Sequence, residues 1–304
     1  MLSLTFLGTS AARPTVERNV SSISLVREAE TLLFDCGEGT QRQMMRSGVS
    51  FSFSDVFFTH FHADHFLGII GLVRTLGLQG RTDPMHLYGP GGAERVLAKA
   101  IELGVEKAPF PIEIHEFKPG HVIKRKDYDL ETFPVEHGGA GVGYVLREHR
   151  RLGRFDPEKA RALGIPEGPL WGKVHKGEAV EGAGGRMVKP EELVGPARTG
   201  RVVVMTGDTS PCKETVKAAK GADLLVHEAT FGEEEKERAR ETQHTTAAEA
   251  AKIAKDAGVR RLVLTHLSAR YSAAPDILLK EAREVFDETI VAKDGLTLEV
   301  PFSD

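Results

Sequence analysis

Three histidines and one aspartate lie within seven consecutive residues, which we call the histidine turn: Thr59-His60-Phe61-His62-Ala63-Asp64-His65. The apolar residues before this segment predict a buried strand, and those after it predict a helix. Because alternate side chains of an extended chain point the same way, His60 and His62 can reach one metal ion together. Asp64 and His65 follow the start of the turn and can face a second ion. Histidines and a carboxylate in this pattern are typical of a zinc site that more distant residues complete.

Three further polar side chains follow predicted strands and are the candidate distant ligands. His137 ends a strand predicted at residues 129–135, and the two glycines after it leave room for a close approach. Asp208 and His266 each follow a further predicted strand in the second half of the chain. Because layered α/β proteins build their sites on loops at strand ends, we expect these side chains to meet the histidine turn.

The candidate ligands form a set of seven: His60, His62, Asp64, His65, His137, Asp208 and His266. Three histidines and a shared acid would hold a first ion, and two histidines with two acids would hold a second. Asp208 would bridge the ions, since it is the only late carboxylate with this placement. A pair of ions lowers the pKa of a water molecule and stabilises charge at phosphorus, but it serves carbonyl hydrolysis as well. The ligands therefore predict a hydrolase without naming its substrate.

Other polar residues in predicted strands keep simpler interpretations open. Asp35 lies near the end of a strand predicted at residues 31–35. There it either holds a ligand histidine by its second ring nitrogen or caps the next helix. His86 and His115 lie in strand patterns and are expected to be ordinary half-buried residues.

The composition is that of an ordinary globular protein of 304 residues, with 40% hydrophobic and 28% charged residues. The formal net charge of −4 does not by itself indicate a polyanion partner. The first residues alternate like a strand, without the basic leader of a signal peptide, and no apolar run approaches the roughly 18 residues of a membrane span. The two cysteines are far apart in the chain. These features predict a cytoplasmic protein with reduced thiols and no membrane association.

The alternation typical of core strands fades in residues 147–189, which we call the arm. A Gly-Pro-rich stretch at residues 164–169 predicts that the arm is an exposed and stiff excursion. Residues 147–176 carry eight Lys/Arg and four Asp/Glu, a net charge of +4, so the rest of the chain carries −8. A basic segment on an acidic body suits a polyanion. The alternative is a solvated insertion with ordinary surface charges.

Several motifs together resemble a known family. The histidine turn with distant His, Asp and His is similar to the metallo-β-lactamase superfamily. Three more specific segments resemble ribonuclease Z, a family of tRNA 3′-processing endoribonucleases: His-Glu-Ala-Thr at 227–230, Gln-His-Thr-Thr at 243–246 and Ser-Ala-Arg-Tyr at 268–271. The resemblance implies an α/β fold, a four-layer αββα metallo-β-lactamase sandwich. It would form a single domain over residues 1–304, with the basic, flexible arm inserted at residues 147–189.

The resemblance also implies site residues and cofactors. The seven ligands would hold two Zn²⁺ ions per subunit, although Mn²⁺ or Co²⁺ also suits such sites. Asp64 would bind metal and accept a proton from the attacking water, and His244, oriented by Glu228, would protonate the leaving 3′-oxygen. Arg270 and Ser268 would hold the substrate phosphate, Arg270 by its fork of donors. The alternative roles are structural: helix caps for Glu228 and His244, and a surface salt bridge for Arg270.

The implied partner is precursor tRNA, which would keep a 3′-hydroxyl after cleavage. The implied assembly is a homodimer in which the arm of one subunit holds the tRNA cut by the other. The candidate RNA-binding residues of the arm are basic: Arg150, Arg151, Arg154, Lys173 and Lys176. Two positions depart from the family pattern. Ala63 stands where glycine is frequent, and Val16 replaces a lysine in a loop linked to handling of the tRNA 3′ end.

Two other functions fit parts of the pattern. A small-molecule hydrolase of the same superfamily, such as a phosphodiesterase, thioesterase or lactonase, would carry no basic arm and would prefer small substrates to folded RNA. A non-catalytic RNA-binding protein on this fold would have lost ligands, whereas all seven are present. An endoribonuclease is therefore the predicted function.

Overall fold

The computed structural model describes residues 1–105 and 107–303, which form two units. The larger unit comprises Met1–Arg147 and Arg201–Ser303, and the smaller one comprises Glu148–Gly200. Both cysteines, Cys36 and Cys212, are buried free thiols. Among the residues described, none of the helices combines the length and the apolar character that a bilayer crossing requires.

The first sheet of the larger unit contains seven strands. They are β1 (Leu2–Gly8), β2 (Ser22–Arg27), β3 (Glu30–Phe34), β4 (Asp55–Phe57), β5 (Met85–Gly89), β6 (Ile112–Glu116) and, near the end of the chain, β16 (Thr297–Glu299). Their spatial order is β16-β1-β2-β3-β4-β5-β6. Strands β3 to β6 are parallel, so the loops after them, including the histidine turn after β4, leave the same edge of the sheet.

The second sheet also contains seven strands. They are β7 (Val122–Lys124), β8 (Tyr128–Pro134), β9 (Val142–Glu148), β12 (Val202–Met205), β13 (Leu224–Glu228), β14 (Leu262–Thr265) and β15 (Thr289–Val291). Their spatial order is β15-β14-β13-β12-β9-β8-β7. Strands β12 to β15 are parallel, so Asp208 after β12 and His266 after β14 follow the same edge of this sheet.

Helices cover the outer face of each sheet. The first sheet packs against α1 (Thr40–Ser47), α3 (Gly68–Leu78) and α4 (Ala93–Ile101), and the second against α8 (Lys213–Ala218), α10 (Ala247–Ala257) and α11 (Asp276–Arg283). Two short helices, α2 (Ala63–Phe66) and α9 (Lys236–Glu241), lie in loops. An apolar core between the sheets joins residues of both, among them Leu4, Phe34, Tyr144 and Val226. The layers are therefore αββα, as predicted.

A close approach between two loops holds the histidine turn against the end of β3. The N–H of Gly68 donates to the carbonyl of Cys36 at 2.8 Å, and the N–H of Cys36 donates to the carbonyl of His65 at 2.7 Å. A Cβ at position 68 would lie 2.0 Å from the carbonyl oxygen of Gly37, so only glycine fits here. These contacts place His65 next to Asp35, the residue that follows β3.

The smaller unit has secondary structure and an apolar core of its own. It contains α5 (Pro157–Ala162), α6 (Pro169–His175), α7 (Pro190–Leu193) and the antiparallel strands β10 (Val180–Glu181) and β11 (Met187–Val188). Its core residues are Ala160, Ile165, Val174, Val180, Val188 and Leu193. The arm predicted at residues 147–189 therefore differs from the structure, which shows a folded unit that continues to Gly200. Its elements are too short for periodicity to reveal them.

Two details of the larger unit differ from the sequence prediction. The helix expected directly after the histidine turn is two helices, α2 and α3, with Leu67 between them. Strand β9 was not predicted, because six of its seven residues are buried and no polar alternation marks it.

Candidate metal centre

Loops at the ends of four strands bring the seven candidate ligands into two adjoining clusters. The first contains His60, His62, His137 and Asp208. The Oδ2 atom of Asp208 lies 3.6 Å from His60 Nε2 and 3.8 Å from His137 Nε2. The Nδ1 atom of His62 lies 3.1 Å from His137 Nε2. Three imidazoles and a carboxylate thus converge on one point.

The second cluster contains Asp64, His65 and His266. Asp208 of the first cluster also adjoins two of its members, His65 and His266. The Nε2 atoms of His65 and His266 lie 3.4 Å apart. Each is 3.3–3.4 Å from Asp208 Oδ2 and 3.3–3.5 Å from Asp64 Oδ2. These five separations are close to the edge length of a tetrahedron around an ion with ligand bonds of about 2.0 Å.

Two buried polar atoms in these clusters fit metal coordination. His60 Nε2 and Asp208 Oδ1 have no hydrogen-bond partner among the described residues. Buried polar atoms are rarely left unpaired, so orphaned atoms at a convergence of imidazoles suit a ligand role. Burial by itself raises the pKa of Asp208, but the imidazoles of His266 and His65 hold that pKa well below its usual range. The carboxylate is therefore ionised, as metal binding requires.

The second ring nitrogen of each of four ligand histidines is held by a neighbour. Asp35 Oδ2 lies 2.7 Å from His65 Nδ1, and Asp35 also accepts the N–H and hydroxyl of Thr59. The remaining contacts are Thr59 Oγ1 to His60 at 3.1 Å, the Gln243 carbonyl to His137 at 2.9 Å and Thr230 Oγ1 to His266 at 2.9 Å. Such contacts orient a ligand imidazole and select its tautomer. Of the two roles considered for Asp35, the structure shows the histidine-holding one.

A histidine–glutamate pair adjoins the two clusters. His244 Nδ1 lies 2.7 Å from Glu228 Oε1, and Glu228 is fully buried. The His244 ring centroid is 4.7 Å from that of His137 and 5.4 Å from that of His266. Burial lowers the pKa of His244, but the charge and hydrogen bond of Glu228 outweigh burial and raise it to about 9. His244 is therefore protonated at neutral pH and can donate a proton.

The two residues expected to hold the substrate phosphate lie in the turn after β14. The guanidinium of Arg270 forms an ion pair with Glu235, which is the salt bridge considered as its alternative role. The backbone N–H of Ser268 donates to the carbonyl of Thr230 at 3.1 Å. A phosphate contact for Arg270 and Ser268 stays a prediction.

The basic residues expected to bind RNA lie on the smaller unit. Arg150, Arg154, Lys173 and Lys176 are exposed, and Arg151 donates to the carbonyl of Thr199. Over Glu148–Gly200 the unit carries ten Lys/Arg and eight Asp/Glu, a net charge of +2. The folded unit is thus less basic than residues 147–176, because Arg147 lies outside it and residues 177–200 add three Lys/Arg and four Asp/Glu.

Sequence reasoning missed several residues that position the ligands. Thr59, Thr230 and Gln243 have common side chains and no metal-ligand spacing. The backbone N–H of Ala12 donates to Asp64 Oδ2 at 2.7 Å, and Ala12 has a φ of 59°. A positive φ at alanine is strained, which is typical of functional loops. Thr59 directly precedes His60 and Gln243 directly precedes His244, which is the one sequence signal that could have indicated them.

Comparisons with known proteins identify the family. Two family models match parts of the chain: "Anti-Pycsar protein Apyc1" over residues 2–145 and "Beta-lactamase superfamily domain" over residues 186–267. The ribonuclease Z of Gemmatimonas aurantiaca is 57% identical over 100% of this chain and 97% of its own length. That of Myxococcus xanthus is 55% identical, over 100% and 99% respectively. The chain belongs to the ribonuclease Z family.

Ribonuclease Z membership agrees with the fold. The crystal structure of the short form of human tRNase Z matches with a TM-score of 0.71 and 27% identity, over 99% of this chain and 100% of the human one. The predicted family and the predicted metallo-β-lactamase sandwich are thus confirmed. As a member of the ribonuclease Z family the chain is a hydrolase and a nuclease, with His/Asp clusters that can bind metal.

Proposed function

We propose that this protein is an endoribonuclease that removes the 3′ trailer of precursor tRNA and leaves a 3′-hydroxyl on the tRNA. The observation that carries the proposal is the His244–Glu228 pair beside two ligand clusters that Asp208 connects. Relatives named ribonuclease Z, at up to 57% identity over their full length, support this substrate. A small-molecule hydrolase is not favoured by these relatives.

The chemistry divides between metal and protein. When bound, two metal ions supply a water of lowered pKa and positive charge for the developing oxyanion. Asp208 would contact both ions, with three histidines completing one site and Asp64, His65 and His266 the other. Burial raises the pKa of Asp64, but its hydrogen bond to His266 and the charge of His65 hold it below the usual range. Asp64 is therefore ionised, the state that metal binding requires, and we assign it as the acceptor of the attacking water's proton because it would adjoin that water.

His244 has the position and charge state of the general acid. Cleavage to a free 3′-hydroxyl requires a proton for the departing 3′-oxygen, whose conjugate acid is weak. His244 carries that proton at neutral pH because Glu228 stabilises the imidazolium. Glu228 itself accepts the backbone N–H groups of Thr209 and Thr245, so the carboxylate is held in place while His244 gains and loses its proton.

The smaller unit would bind tRNA through its exposed basic side chains. Double-stranded RNA is recognised mainly by shape and backbone contacts, which suits exposed basic side chains such as Arg150, Arg154, Lys173 and Lys176. The active assembly would be a homodimer in which one subunit presents its smaller unit to the tRNA cut by the other. A molar mass in solution close to twice 33.1 kDa would support the dimer.

Cleavage of a labelled precursor tests the function. The purified protein is incubated with a 5′-labelled precursor tRNA carrying a trailer, with and without a chelator. The expected product is a single shortened 5′-labelled fragment with a 3′-hydroxyl, formed only without chelator. If the metal-loaded protein leaves this RNA intact but hydrolyses small phosphodiesters, the proposal is overturned and a small-molecule hydrolase is favoured.

The metals and the compartment complete the proposal. Sites of histidine and aspartate suit zinc, and manganese or cobalt can replace it. Elemental analysis should find about two ions per chain at the catalytic centre. Fewer than about one ion after metal loading of the folded protein would contradict the two-ion arrangement. We expect a nuclease that acts on precursor tRNA to lie in the cytoplasm, and fractionation with an epitope-tagged chain would test this.

A further inference from the structure

A second group of histidine and carboxylate side chains lies on the first sheet, outside the candidate metal centre. His86 is on β5, and Glu113 and His115 are on β6, the last strand of the sheet. In the parallel register His86 pairs with Glu113, and Tyr88 pairs with His115. Residues two apart on a strand share a face, so the three side chains project on one side of neighbouring strands. None of the three belongs to the seven ligands of the catalytic clusters.

The ligand atoms of this group form a compact triangle. His86 Nδ1 lies 3.3 Å from His115 Nε2 and 3.3 Å from Glu113 Oε2. His115 Nε2 lies 3.8 Å from Glu113 Oε2. Bonds of about 2.0–2.1 Å to a tetrahedral ion imply ligand separations of about 3.3 Å. Two sides of the triangle therefore match a metal site as they stand, and the third closes with a small rotation of the exposed Glu113 side chain.

The two imidazoles are held by aromatic stacking. The His115 ring lies 4.6 Å from that of Tyr88 with 20° between their planes, and Tyr88 stacks on Phe57 at 4.7 Å. The His86 ring lies 6.2 Å from Tyr88. Side chains already held in place lose little conformational freedom when they bind an ion. They also remain reachable, since the exposed fractions of the His86, His115 and Glu113 side chains are 31%, 37% and 55%.

We propose that His86, Glu113 and His115 form an additional metal site that takes Zn²⁺ or a similar divalent transition metal. Two imidazoles and one carboxylate, with a fourth position open to water, are a ligand set that zinc accepts. Magnesium and calcium prefer all-oxygen sites and are excluded by the donor set. The proposal does not depend on the nuclease activity, because it rests on different residues.

An ion at this position would link the edge strand of the sheet to its neighbour. Within the described ranges β6 pairs with β5 and is the last strand of its sheet. Edge strands are the part of a sheet least restrained by pairing. A ligand that binds only the folded state raises the unfolding temperature. The role inferred for this ion is therefore structural, in contrast to the ions of the catalytic centre.

The test counts metal ions in full-length protein. Wild type and the Glu113→Gln and His115→Gln variants are stripped with chelator, dialysed against Zn²⁺ and assayed for bound zinc. His121→Gln is the matched control, because His121 stacks on the neighbouring Phe117 at 4.5 Å and is not a member of the triangle. Each triangle variant should bind about one ion fewer per chain than wild type and control. RNA cleavage should stay unchanged in all three variants.

Thermal unfolding provides a second readout. Added zinc should raise the melting temperature of wild type and His121→Gln more than that of Glu113→Gln, whose side chain is exposed and whose substitution leaves the core untouched. Equal zinc content in Glu113→Gln, His115→Gln and wild type would overturn the proposal, and the group would then be a hydrogen-bonded trio only. Because the test compares the zinc content of the variants with that of wild type, its result does not depend on how many ions the catalytic centre binds.

Discussion

Replacement of His244 by alanine tests the proposed proton donor. A positioned general acid contributes about 10²–10⁴-fold to rate, which corresponds to about 2.7–5.4 kcal/mol of activation free energy. We expect single-turnover cleavage of precursor tRNA by His244→Ala to fall by that factor. The metal content should not change, because His244 lies outside the seven proposed ligands.

The His244→Ala substitution should lower the unfolding free energy only moderately. Buried Glu228 keeps the backbone N–H groups of Thr209, Thr230 and Thr245 and the hydroxyl of Thr230 as donors when His244 is absent. The loss of one hydrogen bond to a charged group costs about 1.5–3 kcal/mol of unfolding free energy. Most domains have an unfolding free energy of about 5–15 kcal/mol, so the variant should remain folded but melt at a lower temperature.

Two controls separate proton donation from a structural role. In His244→Gln the side-chain amide can still donate to Glu228 but cannot deliver a proton, so it should be as slow on tRNA as His244→Ala. Bis(p-nitrophenyl) phosphate has a leaving group that needs no proton, so both variants should hydrolyse it at close to the wild-type rate. Normal tRNA cleavage by His244→Ala, or recovery of the rate in His244→Gln, would refute the reasoning.

Three further outcomes are expected. Asp208→Asn should lose bound metal and lower cleavage by about 10³-fold or more, since charge stabilisation by the ions contributes several kcal/mol; activity with full metal content would contradict the bridging role. Replacement of residues 150–199 by a short turn should weaken precursor tRNA binding and make the salt dependence of that binding shallower. Hydrolysis of bis(p-nitrophenyl) phosphate should persist. Unchanged tRNA affinity would show that the smaller unit is a surface insertion without a role in binding. The two ends of that unit adjoin, because a Cβ on Gly200 would lie 2.3 Å from the Glu148 carbonyl oxygen. Gly68→Ala should lower the unfolding free energy by about 1–3 kcal/mol. The control Gly139→Ala should change it by less than about 0.5 kcal/mol, because no described atom lies within 4 Å of the added Cβ. Equal denaturant midpoints for the two variants would contradict the close packing at Gly68.

Local chemistry allowed the candidate ligands to be predicted from the sequence. The histidine turn combines metal-binding side chains with a strand before it and a helix after it, and both signals depend on neighbouring residues only. His137, Asp208 and His266 were found because the carboxyl ends of strands are where such folds place function. The αββα layers were implied by the resemblance of these motifs to the metallo-β-lactamase superfamily.

Contacts between distant segments could be decided only by the tertiary structure. Thr230, Ala12 and the carbonyl of Gln243 acquire their roles from the packing of loops far apart in the chain, and common residues carry no mark of such roles. Strand β9 is buried on both faces, so it lacks the alternation that reveals other strands.

The folded smaller unit and the triangle of His86, Glu113 and His115 were also visible only in the tertiary structure. Residues 148–200 fold around their own core through elements of two to seven residues, too short to leave a periodic pattern. His86 and His115 read as ordinary strand residues in the sequence. Only the parallel register of β5 and β6 brings His86 Nδ1 within 3.3 Å of His115 Nε2. Sequence determines which face of a strand a side chain takes, but strand pairing determines which side chain lies beside it.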